Sequence, residues 1–274
     1  MSAHGQREAG EAMKKEKLYL SSIGLDAPET ARAFGLGLEL AQFCTAAFLD
    51  HCGLKPPEDG FLKSLHESLQ QCLRASGRRV LHGPFNELTP AAIDPLVLEI
   101  TERRYRQAIE KAAELGCEKL VLHAGFVPLV YYPEWFISRS VELWKRLCRE
   151  IPAGLTVCLE NVMEPEPGML LEIIEGVHCE NLRICLDLGH ANTSASSAPP
   201  ETWLSRCAPY LSHIHLHNND GARDLHAPVF EGTMDVPALL RQQQALCPQA
   251  SVTLEVSACR ASVLYLEEQG FLED

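Results

Sequence analysis

No stretch of this chain stays apolar for the roughly 18 residues that a membrane-spanning helix needs, so no membrane association is expected. The opening residues, MSAHGQREAGEAMKKEK, lack the apolar centre of a secretory signal. Although 11 cysteines are present, no two stand in C-x-x-C spacing, which argues against a zinc ribbon or a redox dithiol. Most of them, Cys44, Cys117, Cys158 and Cys185 included, sit in apolar surroundings where a thiol behaves as a small core hydrophobe. An odd, scattered set of this kind fits a reducing cytoplasm, the expected location. Positive charge is also scarce: 24 lysines and arginines face 37 acidic residues, for a net charge of -13. Such a chain repels nucleic-acid backbones in the absence of a local basic patch, so nucleic acid is not an expected partner. Linkers, low-complexity tracts and charge runs are missing too, so nothing divides the 274 residues. Residues 1–16 read as a flexible leader, and residues 17–274 as one domain with an ordinary apolar content of 46%.

What is present is an alternation. Strand-like runs at residues 18–23, 37–41, 80–82, 119–123, 155–160, 182–190, 211–217 and 252–256 are separated by helical patterns. Among the helical patterns are residues 60–76, with Phe61, Leu65, Leu69 and Leu73 at spacing four, and residues 100–115, closed by Gly116 as a helix-terminating glycine. Eight strand–helix alternations in one domain predict an α/β fold, a (β/α)8 TIM barrel. Nearly every strand ends on an ionisable residue: His82, His123, Glu160, Asp187, His215 and Glu255. An apolar strand has no structural reason to finish on a carboxylate. In such barrels the active site lies at the C-terminal ends of the strands, so these residues are expected to converge there. Glu39, flanked by leucines, is expected to face a cavity.

The densest stretch is LSHIHLHNNDGARDLH, residues 211–226. His213, His215 and His217 alternate with Ile214 and Leu216, so in a strand the imidazoles share one face. Asp224 and His226 repeat the period-two spacing. Imidazole with carboxylate is the ligand chemistry of zinc, manganese and iron. The candidate metal ligands are His82, His123, Glu160, Asp187, His190, His215, Asp224, His226 and Glu255. That is more than one ion needs and suits one to three, with carboxylates bridging. Four carboxylates packed without cations would repel one another. His217 is expected to orient a ligand or touch substrate. His213, deeper on the strand, is expected to be a hydrogen-bonded core residue, and His4, His51, His66 and His178 to be solvated.

The motifs HGPFNEL at His82, LHAG at His123, LEN at Glu160, CLDLGHA from Asp187, HIHLHNNDG around His215, DLH at Asp224 and LEV at Glu255 together resemble the xylose-isomerase-like TIM barrel superfamily. The resemblance covers nearly the whole chain. It implies a metal-dependent isomerase or epimerase of a small sugar or sugar phosphate, holding one divalent ion (Zn, Mn, Mg or Co) on Glu160, Asp187, His215 and Glu255. Glu160 and Glu255 would be the catalytic acid/base pair, moving a proton next to a carbonyl through a metal-stabilised enediolate. His190, His217, Arg223 and Phe85 would contact substrate. The superfamily also contains the endonuclease IV type, in which nine such positions hold three zinc ions and cleave a phosphodiester. This chain has a residue of suitable type at all nine, so a metal-dependent phosphodiesterase is the alternative. Against DNA stand the charge and the acid in Phe85-Asn86-Glu87. The aromatic loop after His123 suits a lid over a small polyol. Members of the superfamily are often homo-oligomers, so self-association is a further expectation.

Overall fold

The computed structural model describes residues 12–51 and 55–273. Eight parallel strands close into a barrel: β1 (Leu18–Ser21), β2 (Gly37–Leu40), β3 (Arg79–His82), β4 (Lys119–His123), β5 (Thr156–Glu160), β6 (Leu182–Asp187), β7 (Leu211–Leu216) and β8 (Ser251–Leu254), with β8 pairing back onto β1. The expected single-domain (β/α)8 barrel is therefore present, with each strand within a few residues of its place in the sequence pattern.

The helices follow local signals. Helix α1 (Ala27–Phe34) ends on Gly35, whose φ of +70° is left-handed. The short α2 (Ala46–His51) is an insertion after β2 that the apolar periodicity does not announce. Helix α3 (Gly60–Ala75) is capped by Asp59, which accepts from the Leu62 amide. Helix α4 (Pro95–Glu114) starts a full turn before the expected residue 100, because Asp94 caps it and Pro95 supplies a pre-set first position. Gly116 does follow its end in the left-handed region. Helices α5 (Pro133–Leu147), α6 (Gly168–Val177), α7 (Leu188–Ala191), α8 (Pro200–Cys207), α9 (Val236–Leu246) and α10 (Cys259–Glu268) complete the jacket.

Two expectations need correction. The sixth strand does not run to residue 190. It stops at Asp187, whose carboxylate accepts from the His190 amide at 2.6 Å and starts α7. His66 is not solvated: it lies on the inner face of α3 with Leu69 and Cys72, 8% exposed. Of the leader, residues 1–11 lie outside the described residues; Met13–Lys14 pair in parallel with Leu272–Glu273, joining the two ends of the described chain.

Two cores result. The larger packs the outward faces of the strands against the helices. The smaller, formed by Tyr19, Val80, Val121, Cys158 and Cys185, fills the barrel itself. Gly37 makes room for it, since a Cβ there would stand 2.2 Å from the Tyr19 ring. Side chains two residues further along each strand share its inward face. Val80 is thus followed by His82, Val121 by His123, Cys158 by Glu160 and Cys185 by Asp187. The apolar plug supports a polar layer at the C-terminal mouth.

Candidate metal centre

Strand register sets the contacts of that layer. His123 pairs with Glu160 across β4 and β5, and Asp187 pairs with His215 across β6 and β7. The second pairing follows a bulge between Ile184 and Cys185, which shifts the register by one residue. Beyond β7 the chain folds back through an antiparallel bridge between Asn218 and Ala227, which brings Asp224 and His226 over the mouth. Glu255 follows directly on β8.

The donor atoms fall into overlapping groups, each within 4.8 Å: His82, His123 and Glu160; Glu160, Asp187, His215 and Glu255; Asp187, His190 and His217; His217, Asp224 and His226; and Glu39, His82, His215 and Glu255. Glu160 belongs to the first two. Its Oε2 lies 3.3 Å from His82 Nε2 and 3.5 Å from His123 Nε2, and its Oε1 lies 3.0 Å from His215 Nδ1. Asp187 and Glu255 approach the same His215 nitrogen, at 3.8 and 3.7 Å. Asp187 also reaches His217 Nε2 at 3.3 Å, and Asp224 contacts His190, His217 and His226 at 3.4, 3.4 and 3.2 Å. All nine expected metal ligands are thus gathered at one mouth, and His217 joins them as a further donor.

The imidazoles are held from behind. His82 Nδ1 lies 3.0 Å from the Gly83 carbonyl, His190 Nδ1 2.8 Å from that of Asn161, and His226 Nδ1 2.9 Å from that of Glu255. Each ring donates there and leaves Nε2 facing the cavity. Asn161 ties β5 to β6 through both its amide atoms, accepting from the Asp187 amide and donating to its carbonyl. Phe85 stacks on His123 with ring centroids 4.1 Å apart and so braces a donor. Arg223 is not brought into the group. It is 74% exposed and pairs with Asp220 at 2.8 Å.

The sequence pattern left one acid of this network outside the ligand set. Glu39 is fully buried beneath His215, whose Nε2 lies 3.0 Å from Glu39 Oε1. An acid between two leucines on a short strand was its signal, and the expected cavity location is met. His213 is, as expected, a buried, hydrogen-bonded residue, contacting Ser251, Thr253 and Glu39.

Electrostatics separate the two glutamates. Burial pushes Glu160 up, but the His215 and His123 imidazoles outweigh it and hold the carboxyl well below the usual range. Burial, reinforced by the Glu160 charge, raises Glu255. Burial likewise lowers His123 to about 3. Opposing its burial, Asp187 and Asp224 raise His190 to about 10. Glu160 Oε2, Asp187 Oδ2 and His217 Nε2 are buried without a hydrogen-bond partner. Leaving such atoms unpaired costs about 1–3 kcal/mol each, more for charged groups. Buried, unpaired oxygen and nitrogen donors converging from several strands fit a divalent cation.

The chain belongs to the xylose isomerase-like TIM barrel family, whose model matches residues 31–272. A Thermus thermophilus protein, TTHB071, whose solved structure comes from a soak with ZnCl2, is 30% identical; the match covers 93% of this chain and 97% of that one, with a TM-score of 0.69. A D-tagatose 3-epimerase-like protein, at 24% identity and TM-score 0.71 over 93% of this chain and 96% of that one, shares the fold. The uncharacterised protein MJ1311 of Methanocaldococcus jannaschii is 30% identical over 194 residues, 67% of this chain and 66% of that one. The match thus spans just under two thirds of that relative. Among the described residues no helix is long and apolar enough to cross a membrane.

Proposed function

We propose that this protein is a metal-dependent isomerase or epimerase of a small sugar or sugar phosphate. One observation carries the reading: Glu160 and Glu255, from strands on different sides of the barrel, meet at the same His215 nitrogen with Asp187 beside them. Glu160, Asp187, His215 and Glu255 would hold a Zn, Mn, Mg or Co ion, which when bound polarises carbonyl and hydroxyl oxygens. Zinc is the first metal to test, given the zinc-soaked relative. Glu160, kept ionised by imidazoles, is placed to take a proton from the carbon next to a sugar carbonyl. Glu255, whose carboxyl is raised, is placed to return one. Both are buried, so the proton moves away from bulk water. His190 and His217 line the same mouth and would hold substrate hydroxyls. Phe85 acts through His123, and Arg223 has no part in this arrangement.

A second reading rests on a separate observation. The donor groups are contiguous, with Glu160 shared by two of them and Asp224, His217 and His226 forming a further one. Such a set could hold up to three ions and would then suit hydrolysis of a phosphodiester.

Elemental analysis of protein purified without chelator separates the two. One exchangeable ion per chain, with turnover on a panel of ketoses and sugar phosphates, is the expected result. Three tightly held zinc ions, with cleavage of abasic DNA or small phosphodiesters, would overturn it in favour of the second reading.

A further inference from the structure

A line of polar side chains runs inside the barrel, from its N-terminal end to the donor cluster. Lys119, at the start of β4, donates to Ser251 Oγ and to the Ser212 carbonyl. Ser251 Oγ stands 2.6 Å from His213 Nδ1. His213 Nε2 stands 2.8 Å from Thr253 Oγ1 and 3.2 Å from Glu39 Oε2, and the Thr253 hydroxyl donates to that same oxygen. Glu39 meets His215 Nε2 from below, at 3.0 and 3.2 Å. The line ends at His215 Nδ1, 3.0 Å from Glu160.

Its carboxylate end fixes its polarity. A lysine ammonium only donates, and a carboxylate only accepts. Glu39 can take only a donor from His213 Nε2, so His213 Nδ1 is bare and Ser251, which receives from Lys119, turns its own proton to it. The His213 ring proton then sits on Nε2 and is given to Thr253 and Glu39. Glu39 Oε2 accepts from that side and also takes the Nε2 proton of His215. Nδ1, the nitrogen that contacts Glu160 Oε1 at 3.0 Å, is then the one His215 would offer to an ion. This reverses the arrangement of His82, His190 and His226, whose Nδ1 atoms face backbone carbonyls and whose Nε2 atoms are presented. An imidazole ligand must offer an unprotonated nitrogen, and a partner on its other nitrogen orients the ring and raises its basicity.

We infer that Glu39 is a positioning residue, which fixes the tautomer and orientation of His215, and that Lys119 anchors the line at the far end of the barrel. The inference deepens the reading of the mouth as a metal centre and rests on it. Glu39 lies on the Nε2 side of His215, whereas Glu160, Asp187 and Glu255 gather on the Nδ1 side. Toward the ion of those three it acts through the imidazole, while its own Oε1 stands in a separate donor group with His82, His215 and Glu255.

The test uses the zinc-loaded full chain and two readouts other than turnover. Long-range proton–nitrogen NMR correlation should place the ring proton of His215 on Nε2 and that of His82 on Nδ1. Competition with a chromophoric chelator should show that Glu39→Ala weakens zinc binding about 10–100-fold. Glu39→Gln, whose amide oxygen still accepts, should lose less, and Lys119→Met less again, with far-UV circular dichroism unchanged in all three. A His215 proton on Nδ1, or full zinc affinity in Glu39→Ala, overturns the inference while leaving the metal centre standing. Wild-type protein that takes up no zinc overturns both.

Discussion

The ring of His217 lies so close over Gly189 that a Cβ on residue 189 would stand 1.9 Å from its Cε1 and 2.2 Å from its Nε2. The motif Asp187-Leu-Gly-His190 therefore has its glycine for a steric reason: α7 turns directly beneath an imidazole of the mouth. Gly189→Ala is expected to fold, since its backbone lies in a helical turn, but to push His217 away from Asp187 and Asp224. The cost falls on metal uptake and turnover, by about 10-fold or more, in line with misplaced site groups. Zinc titration and steady-state rates on the variant check this; unchanged values for both would mean that His217 has no role at the mouth.

Glu160→Gln should abolish turnover while leaving the barrel intact. Loss of a positioned acid or base typically costs about 10²–10⁴-fold, and Glu160 is also shared by two donor groups. His226→Ala discriminates more finely. His226 touches Asp224 and the edge of Glu255 but not Glu160. Under the isomerase reading it should keep measurable turnover and the same metal count. Under the hydrolase reading it should lose an ion and most activity with it. Kinetics and elemental analysis on both variants decide the matter.

The barrel is legible in the sequence because nearly every strand reads as an apolar run closed by an ionisable residue, and apolar runs of that length recur at helix-sized intervals. Six of the nine donors are legible for the same reason, and His190, Asp224 and His226 by residue type and spacing. What is not legible depends on contacts between distant segments. Asp187 caps a helical turn that its neighbours Leu188, Gly189 and His190 do not advertise, so the apolar pattern overruns the strand. His66 stands on a helix face whose burial depends on α3 docking against the barrel. Glu39 reads as a cavity residue but not as a partner of His215, because their contact spans 176 residues. Arg223 stands out by chemistry and loop position, and Asp220, three residues away, takes its guanidinium instead.

Removing bound metal should destabilise the fold. The mouth gathers Glu160, Asp187 and Glu255 in one buried cluster with atoms left unpaired, so the folded state carries charge repulsion that a cation relieves. A ligand at 100 times its dissociation constant stabilises by about 2.7 kcal/mol, and for a chain of this size that corresponds to a rise in Tm of roughly 5–10 °C. Calorimetry with excess zinc and after exhaustive chelation should show that difference, and Glu160→Gln should shrink it. Identical Tm values would mean that the cluster does not bind the added ion.

Glu164 should make stability fall with rising pH. It is 2% exposed in the loop after β5, its Oε2 accepts from the Val162 amide at 2.7 Å, and its Oε1 has no partner. Burial raises its carboxyl to about 7. In the unfolded chain the same group titrates near the ordinary glutamate value of about 4.3. Between those two values the folded chain holds a proton that the unfolded chain releases, so stability declines as pH rises through the window and levels off above it. At about 1.4 kcal/mol per pKa unit, the decline amounts to roughly 4 kcal/mol. Glu164→Gln, neutral at every pH and still able to accept from Val162, should remove this dependence. It should leave stability at pH 4 close to wild type and raise it at pH 8. Urea denaturation of both proteins at the two pH values measures the effect; a variant no more stable than wild type at pH 8 would mean that Glu164 ionises in the fold without penalty.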